Sequence, residues 1–327
     1  MKKEEVKNGV MGVITAGGDA PGMNAAIRSV VRSAHHFGYN IVGYRRGWWG
    51  LLEKDYRELD MRSVSNILSR GGTILHTGRC PLFREEKHRN EGAKNLEELS
   101  PDGLVVIGGD GSMKAAYKLS RMTDVPIVGI PASIDNDIPG TDETIGFDTA
   151  INTALEATDK IRDTATSHQR IFIVEVMGRR RGFLALNVGI TAGAEIIIVP
   201  ELEWKEEDII KEIKFLDSKG KHSIIIVMAE GAGDARKLAK KIEEKNLMPV
   251  RVSTLGYIQR GGSPTVDSRL MASLFGFEAV NLIKDGKGGL MVSWVKDRLK
   301  TISLEYPFKG EKKLDTALFD IAKVLSR

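Results

Sequence analysis

The segment Pro131-Ala132-Ser133-Ile134-Asp135-Asn136-Asp137 sets a hydroxyl and two carboxylates close together just after an apolar run. A carboxylate so placed serves as a general base toward a hydroxyl substrate, or as a ligand for a hard cation. Asp-Asn-Asp is also an ordinary turn, since both side-chain types hydrogen-bond their own backbone. In isolation the turn is the stronger reading.

Three other loops reverse that order. Gly17-Gly18-Asp19-Ala20-Pro21-Gly22 and Gly108-Gly109-Asp110-Gly111-Ser112 hold more glycines than a tight turn needs. Glycine lets backbone N–H groups approach a phosphate at a helix start. Neither is the dinucleotide fingerprint, and neither ends in the Gly-Lys-Ser/Thr of a P-loop. Asp110 would repel a bare polyphosphate, a conflict that a bridging Mg²⁺ removes. Met177-Gly178-Arg179-Arg180-Arg181-Gly182 gathers three guanidinium groups. Such a run is either a solvated surface or a set of donors aimed at phosphate. Arg170, Arg251 and Arg260 are further cations near apolar runs, and Glu230 is placed either to accept from sugar hydroxyls or to shape a turn. Together these residues supply the parts of phosphoryl transfer: a cradle, a cation, charge stabilisers and a carboxylate, Asp135 or Asp137, near the acceptor hydroxyl.

Loops of this kind need a scaffold, and the chain alternates apolar β-branched runs with helical patterns. Strands are expected at Val10–Ala16, Ile41–Tyr44, Leu104–Ile107, Pro126–Ile130, Ile171–Val176, Ile196–Val199, Ile224–Met228 and Val250–Thr254. Helices are expected between them, including Pro21–Phe37, Met61–Ser69, Arg84–Leu99, Ser112–Ser120, Thr149–Ala165 and Lys205–Ser218. Continuously apolar strands imply helices on both faces, so the fold class is α/β with mainly parallel sheets. In such sheets ligands bind at the carboxyl ends of the strands, where all four loops fall.

Composition limits the alternatives. A chain of 327 residues is long for one core and predicts two domains. A net charge of +4 with 6% aromatic residues gives no nucleic-acid footprint, and Cys80 is the sole cysteine, which excludes an internal disulfide framework. No run approaches the ~18 apolar residues of a membrane span, and the first ten residues lack the apolar core of a signal peptide. A cytoplasmic location is expected.

The motifs Gly-Gly-Asp-Ala-Pro-Gly-Met-Asn, Gly-Gly-Asp-Gly-Ser, Ile-Asp-Asn-Asp, Met-Gly-Arg and Gln-Arg-Gly-Gly-Ser-Pro occur in this order across nearly the whole chain. As a set they resemble the bacterial 6-phosphofructokinases. The resemblance implies transfer of the ATP γ-phosphate to O1 of fructose 6-phosphate, a step of glycolysis. It implies Asp135 as base, with Ser133, Asp137 and Arg179 as its catalytic neighbours. Gly18, Arg79, Cys80, Gly108, Gly109, Asp110, Gly111 and Ser112 match the nucleotide site, Asp110 at the Mg²⁺ position. Ser133, Ile134, Asp135, Met177, Gly178, Arg179, Glu230, Tyr257, Ile258, Gln259 and Arg260 match the sugar-phosphate site, and Arg170 and Arg251 match arginines that reach it from a neighbouring subunit. Arg28, Arg32, Arg162, Gly193, Glu195, Lys219 and Lys221 match an effector site for ADP or phosphoenolpyruvate.

The resemblance further implies a homotetramer of two-domain subunits. Residues 1–145 with 258–308 would form the nucleotide-binding domain, and 146–257 with 309–327 the sugar-phosphate domain. Some positions depart from the pattern: Ser133 for Thr, Ala132 for Gly, Tyr257 for His and Met61 for Arg in the effector site. Pyrophosphate-using relatives carry Asp at the position of Gly111 and Lys at that of Ala132, so ATP is the expected donor. The alternatives are a pyrophosphate-dependent enzyme and a non-catalytic nucleotide or sugar-phosphate sensor.

Overall fold

The structure is a computed structural model that describes residues 9–245 and 247–326. In chain order the elements begin β1 (Val10–Ala16), α1 (Met23–His36), β2 (Asn40–Tyr44), α2 (Trp48–Glu53), β3 (Tyr56–Glu58) and α3 (Glu86–Leu99). Next come β4 (Gly103–Gly108), α4 (Asp110–Leu119), β5 (Ile127–Pro131), α5 (Phe147–His168), β6 (Ile171–Val176), α6 (Phe183–Thr191) and β7 (Ile196–Ile198). The rest are α7 (Glu206–Ser218), β8 (Ile224–Ala229), α8 (Ala235–Glu243), β9 (Val250–Thr254), α9 (Val266–Lys284), β10 (Leu290–Trp294), β11 (Leu299–Ser303) and α10 (Ala317–Leu325).

These elements divide into two compact units. The first comprises the chain up to Ser133, Asp137–Asp148 and Arg260–Lys312; the second comprises Ile134–Asn136, Thr149–Gln259 and the chain from Lys313.

The first unit holds a seven-stranded sheet in the order β11-β10-β5-β4-β1-β2-β3. Its five inner strands pair in parallel, and β3 and β11 close the edges antiparallel. Val13, Ile14, Val105, Val106, Ile107 and Val128 are wholly buried, as strands covered on both faces must be. α1 packs along α9, where a Cβ on Gly276 would fall 2.5 Å from that of Ser29. β1, β4 and β5 are neighbours, so the loops after them emerge side by side at one sheet edge.

The loop after β5 is pinned rather than loose. Ala132 bridges to Ile145, the Ser133 N–H donates to the Ile145 carbonyl at 3.0 Å, and Thr144 Oγ1 donates to the Ser133 carbonyl. Farther along, Thr141 Oγ1 accepts from the Trp294 N–H at 3.0 Å, and Lys312 Nζ donates to the Asp142 carbonyl at 2.7 Å.

The second unit holds four parallel strands in the order β7-β8-β6-β9. Its core is isoleucine-rich: Ile171, Ile173, Ile213, Ile224, Ile226 and Ile242 are wholly buried. β-branched side chains suit such strands because they pack on a pleated surface.

All eight expected strands form, with ends shifted by at most a residue or two. Met61–Ser69, expected as a helix, is instead a run of turns. Asp60 Oδ1 accepts from the Ser63 N–H at 2.7 Å as a helix cap would, but Asn66 takes φ +57° and ends the turn before it propagates. β10, β11, α9 and α10 lie in a stretch where the sequence pattern announced no elements.

Glu143, in the pinned loop, is pushed up to about 7 by burial and by the charges of Asp148, Asp267 and Asp297, against the pull of Lys312. Burial drives Lys312 the other way, down to about 8, opposed by Asp142, Asp137 and Glu143. A carboxyl raised on folding favours the native state fully below its ordinary value of 4.5 and loses that contribution as pH climbs through 7. Glu143→Gln removes the loss. Thermal melts should show the variant gaining on the parent between about pH 5 and about pH 7.5; a pH-independent gap would refute this.

Candidate active site

In the first unit, three loops meet at the carboxyl edge of β1, β4 and β5. Gly17 follows β1 at φ +90°, and its N–H reaches the Gly78 carbonyl at 3.3 Å. Ser112 Oγ donates to the Ala16 carbonyl at 2.8 Å and ties the β4 loop to the end of β1. Glycine is required at Gly108, where a Cβ would fall 2.4 Å from that same carbonyl. At Gly111 a Cβ would meet nothing within 4 Å, so the face beside it is open. Asp110 sits in the first turn of α4, whose N-terminus faces the same edge.

Ser133 ends this row. A Cβ on Gly109 would come within 3.7 Å of its Cβ, so the β4 and β5 loops nearly touch. Asp137 Oδ1 is buried and has no hydrogen-bond partner among the described residues. Buried carboxylate oxygens normally have partners, and one without is suited to a cation. Arg79 lies exposed with its carbonyl accepting from Trp49 Nε1 at 3.2 Å, and burial raises the neighbouring Cys80 thiol, which makes it a poor nucleophile. Arg260 Nη2 donates to Asp19 Oδ1 at 2.5 Å, and a Cβ on Gly18 would fall 2.8 Å from the same nitrogen.

The second unit gathers Asp135 and the arginine loop. Asp135, 4% exposed, pairs through Oδ2 with Arg179 Nε at 3.2 Å, while half of the Arg179 side chain faces solvent. Both backbones are unusual: Asn136 and Arg179 take φ +50° and +54° without being glycine. Such conformations cost of order 1–3 kcal/mol each and persist where surrounding contacts fix them. At Arg179 the fixing contact is visible, because Glu230 Oε1 accepts from the N–H groups of Gly178 at 3.2 Å and Arg179 at 2.7 Å. Glu230 therefore shapes the arginine loop, the second of the two roles the sequence left open. The adjoining Gly231 has no room for a side chain, since a Cβ would fall 1.9 Å from the Arg179 carbonyl oxygen.

Of the segment after β9, Tyr257 and Ile258 are 77% and 56% exposed. Gln259 is fully buried, and its Nε2 donates to the Gly256 carbonyl at 3.1 Å. Arg251 donates to the Val250 carbonyl at 2.8 Å and lies 3.8 Å from Glu243 at the unit's surface.

A second cluster of expected residues also comes together in this unit. The Glu195 side chain, 1% exposed, lies 3.3 Å from Arg162 Nη1 and 2.9 Å from Lys221 Nζ, and accepts from the Ile225 N–H at 2.7 Å. Arg162 Nη2 also donates to the carbonyls of Ala192 and Gly193, each at 2.8 Å. Lys219 points elsewhere, over the Phe215 ring. Arg28 and Arg32 stand one turn apart on α1 in the first unit. Burial and the Arg32 charge lower the Arg28 guanidinium from its ordinary value.

Sequence reasoning missed Thr144 and Asp19 as supports of the site. A lone threonine in a loop carries no signal, and Asp19 passes for a turn residue.

The family model for Phosphofructokinase matches residues 10–283. A protein named ATP-dependent 6-phosphofructokinase from Halothermothrix orenii is 46% identical over 328 residues, covering 97% of this chain and 99% of its own. One of the same name from Clostridioides difficile is 48% identical over 316 residues, with the same coverage. Among solved structures, phosphofructokinase from Saccharomyces cerevisiae aligns over 98% of this chain and 48% of its own, at TM-score 0.86 and 33% identity. A pyrophosphate-dependent phosphofructokinase from Marinobacter aquaeolei, 22% identical at TM-score 0.84, shares the fold. With this family match and near-complete coverage of its relatives, the chain belongs to the phosphofructokinase family.

Proposed function

We propose that this protein is an ATP-dependent 6-phosphofructokinase, moving the γ-phosphate of ATP to O1 of fructose 6-phosphate. The observation that carries the reading is the buried Asp135 carboxylate held at 3.2 Å by Arg179. A general base must sit within hydrogen-bond reach of the hydroxyl it deprotonates and be kept charged until it acts. Burial disfavours the charged form and a guanidinium partner restores it. Near-complete alignment with proteins named for this activity, at 46% and 48% identity, supports the same reading.

In the proposed reaction Asp135 accepts the O1 proton as the hydroxyl attacks in line. Arg179 and Arg79 stabilise charge on the transferring group. Glycine N–H groups of the β1 and β4 loops cradle the donor phosphates, and Glu230 keeps the arginine loop in its left-handed turn. Mg²⁺, when bound, neutralises the donor oxygens. Asp110 would hold it, together with Asp137, whose buried Oδ1 has no hydrogen-bond partner among the described residues. One or two carboxylates completed by phosphate oxygens is the usual magnesium arrangement. The described residues contain no group of three or more acidic, His or Cys side chains that could hold a metal by themselves.

ATP is the proposed donor because Gly111 leaves its surroundings open, where an Asp would add a charge and bulk. We assign the nucleotide to the seven-stranded unit and the sugar phosphate to the four-stranded one. A homotetramer is supported by exposed apolar side chains: Val266 and Leu270 on α9, and Val324 and Leu325 on α10, are each at least 55% exposed. Arg170 and Arg251 would serve a neighbouring subunit. We place the enzyme in the cytoplasm; among the described residues, no helix is long and apolar enough to cross a membrane.

A panel of ATP, GTP and pyrophosphate with fructose 6-phosphate tests the assignment; product formation should be greatest with ATP, and turnover confined to pyrophosphate would reject it. Asp135→Ser should lower kcat by roughly 10²–10⁴-fold while sugar-phosphate affinity stays within a few-fold. Near-parental turnover in that variant would remove Asp135 from the mechanism. For regulation, the Arg162–Glu195–Lys221 cluster supports anion binding, so ADP and phosphoenolpyruvate should shift the half-saturating fructose 6-phosphate concentration in opposite directions. Identical velocity curves with and without each effector would exclude such control.

A further inference from the structure

We infer that the segment from Glu201 to Trp204 is a bracket that sets the arginine loop of the sugar-phosphate site, and that Trp204 is a positioning residue for Arg179. The inference rests on the phosphofructokinase reading and deepens it. Two carboxylates grip the loop from its two ends. Glu230, from the end of β8, holds the N–H groups of Gly178 and Arg179, and Glu201, just past β7, accepts from the Gly182 N–H at 2.9 Å. The other Glu201 oxygen is buried without a hydrogen-bond partner among the described residues. Retaining a half-satisfied carboxylate costs stability, so a role beyond stability accounts for it.

Trp204, three residues on, reaches the other carboxylate's turn. Its Nε1 donates to the Ala232 carbonyl at 3.1 Å, and Glu230–Ala232 is the short 3-10 turn that carries Glu230. Gly233, at φ +151°, ends that turn, and a Cβ there would fall 3.1 Å from Trp204 Cζ2. The indole thus fixes the turn by a hydrogen bond and by contact. The turn fixes Glu230, Glu230 fixes the left-handed backbone of Arg179, and Arg179 pairs with Asp135. Every link of this relay lies in the four-stranded unit, and the proposed nucleotide loops lie in the other.

That separation gives the test its readout. Trp204→Phe keeps an aromatic ring and removes the donor. It should raise the KM for fructose 6-phosphate about five-fold, the equivalent of one neutral hydrogen bond at about 1 kcal/mol, and leave the KM for ATP unchanged. Without ATP, fructose 6-phosphate should raise the melting temperature of the variant less than that of the parent. Ile242→Val, in the core of the same unit, should lower the melting temperature without moving either KM. Should Trp204→Phe fail to fold, Gly233→Ala perturbs the same turn and should show the same selective loss. An unchanged KM for fructose 6-phosphate, or equal rises in both KM values, would overturn the inference. Absence of any fructose 6-phosphate turnover in the parent would instead overturn the functional reading on which it rests.

Discussion

A carboxylate that is 4% exposed cannot remain charged without a partner, and the geometry around Asp135 answers that constraint. Arg179 supplies the charge, but a guanidinium on a flexible stem is useful only if its backbone is fixed. That backbone takes a φ of +54°, which a non-glycine residue does not adopt spontaneously. Glu230 and the glycines around it exist to make that conformation the stable one. The site is therefore a nested set of supports, each accounting for the oddity of the next.

The two sheets explain why these supports converge. Within each sheet, parallel strands direct the loops of interest to that sheet's carboxyl edge, and helix N-termini follow after them. In the seven-stranded unit the two glycine-rich loops and the loop that carries Ser133 follow adjacent strands, so no long connection is needed to bring them together. In the four-stranded unit the loops after β6 and β8 are likewise neighbours, which is why Glu230 can reach the N–H groups of residues more than fifty positions earlier.

Much of this was legible in the residues. Continuous apolar strands announced a parallel α/β fold, and the glycine-rich loops announced phosphate before any family resemblance was drawn. Turn chemistry was harder. Met61–Ser69 carries a helical pattern and a good cap, yet Asn66 breaks it, because a single left-handed residue outweighs weak propensity. α9 was missed because it is apolar nearly all round, so it shows no clear stripe. The effector-type cluster could not be read locally: Arg162, Glu195 and Lys221 are far apart in sequence, and only folding reveals Glu195 as their shared acceptor. The support roles of Glu201 and Trp204 were hidden for the same reason.

The chain passes between the two units five times, at residues 133/134, 136/137, 148/149, 259/260 and 312/313. Neither unit is a continuous piece of polypeptide. In the larger one, β10 lies beside β5, with Leu290 opposite Val128, so this sheet stays incomplete until a strand more than 150 residues later has been made. The smaller unit must accommodate Ile134–Asn136, a tripeptide whose neighbours on both sides belong to the other. Synthesis thus cannot yield a finished half-enzyme, and folding has to wait for contacts of very long sequence separation, the slow kind. The same threading that puts Asp135 on a three-residue excursion makes the folding of each unit depend on segments far apart in the chain.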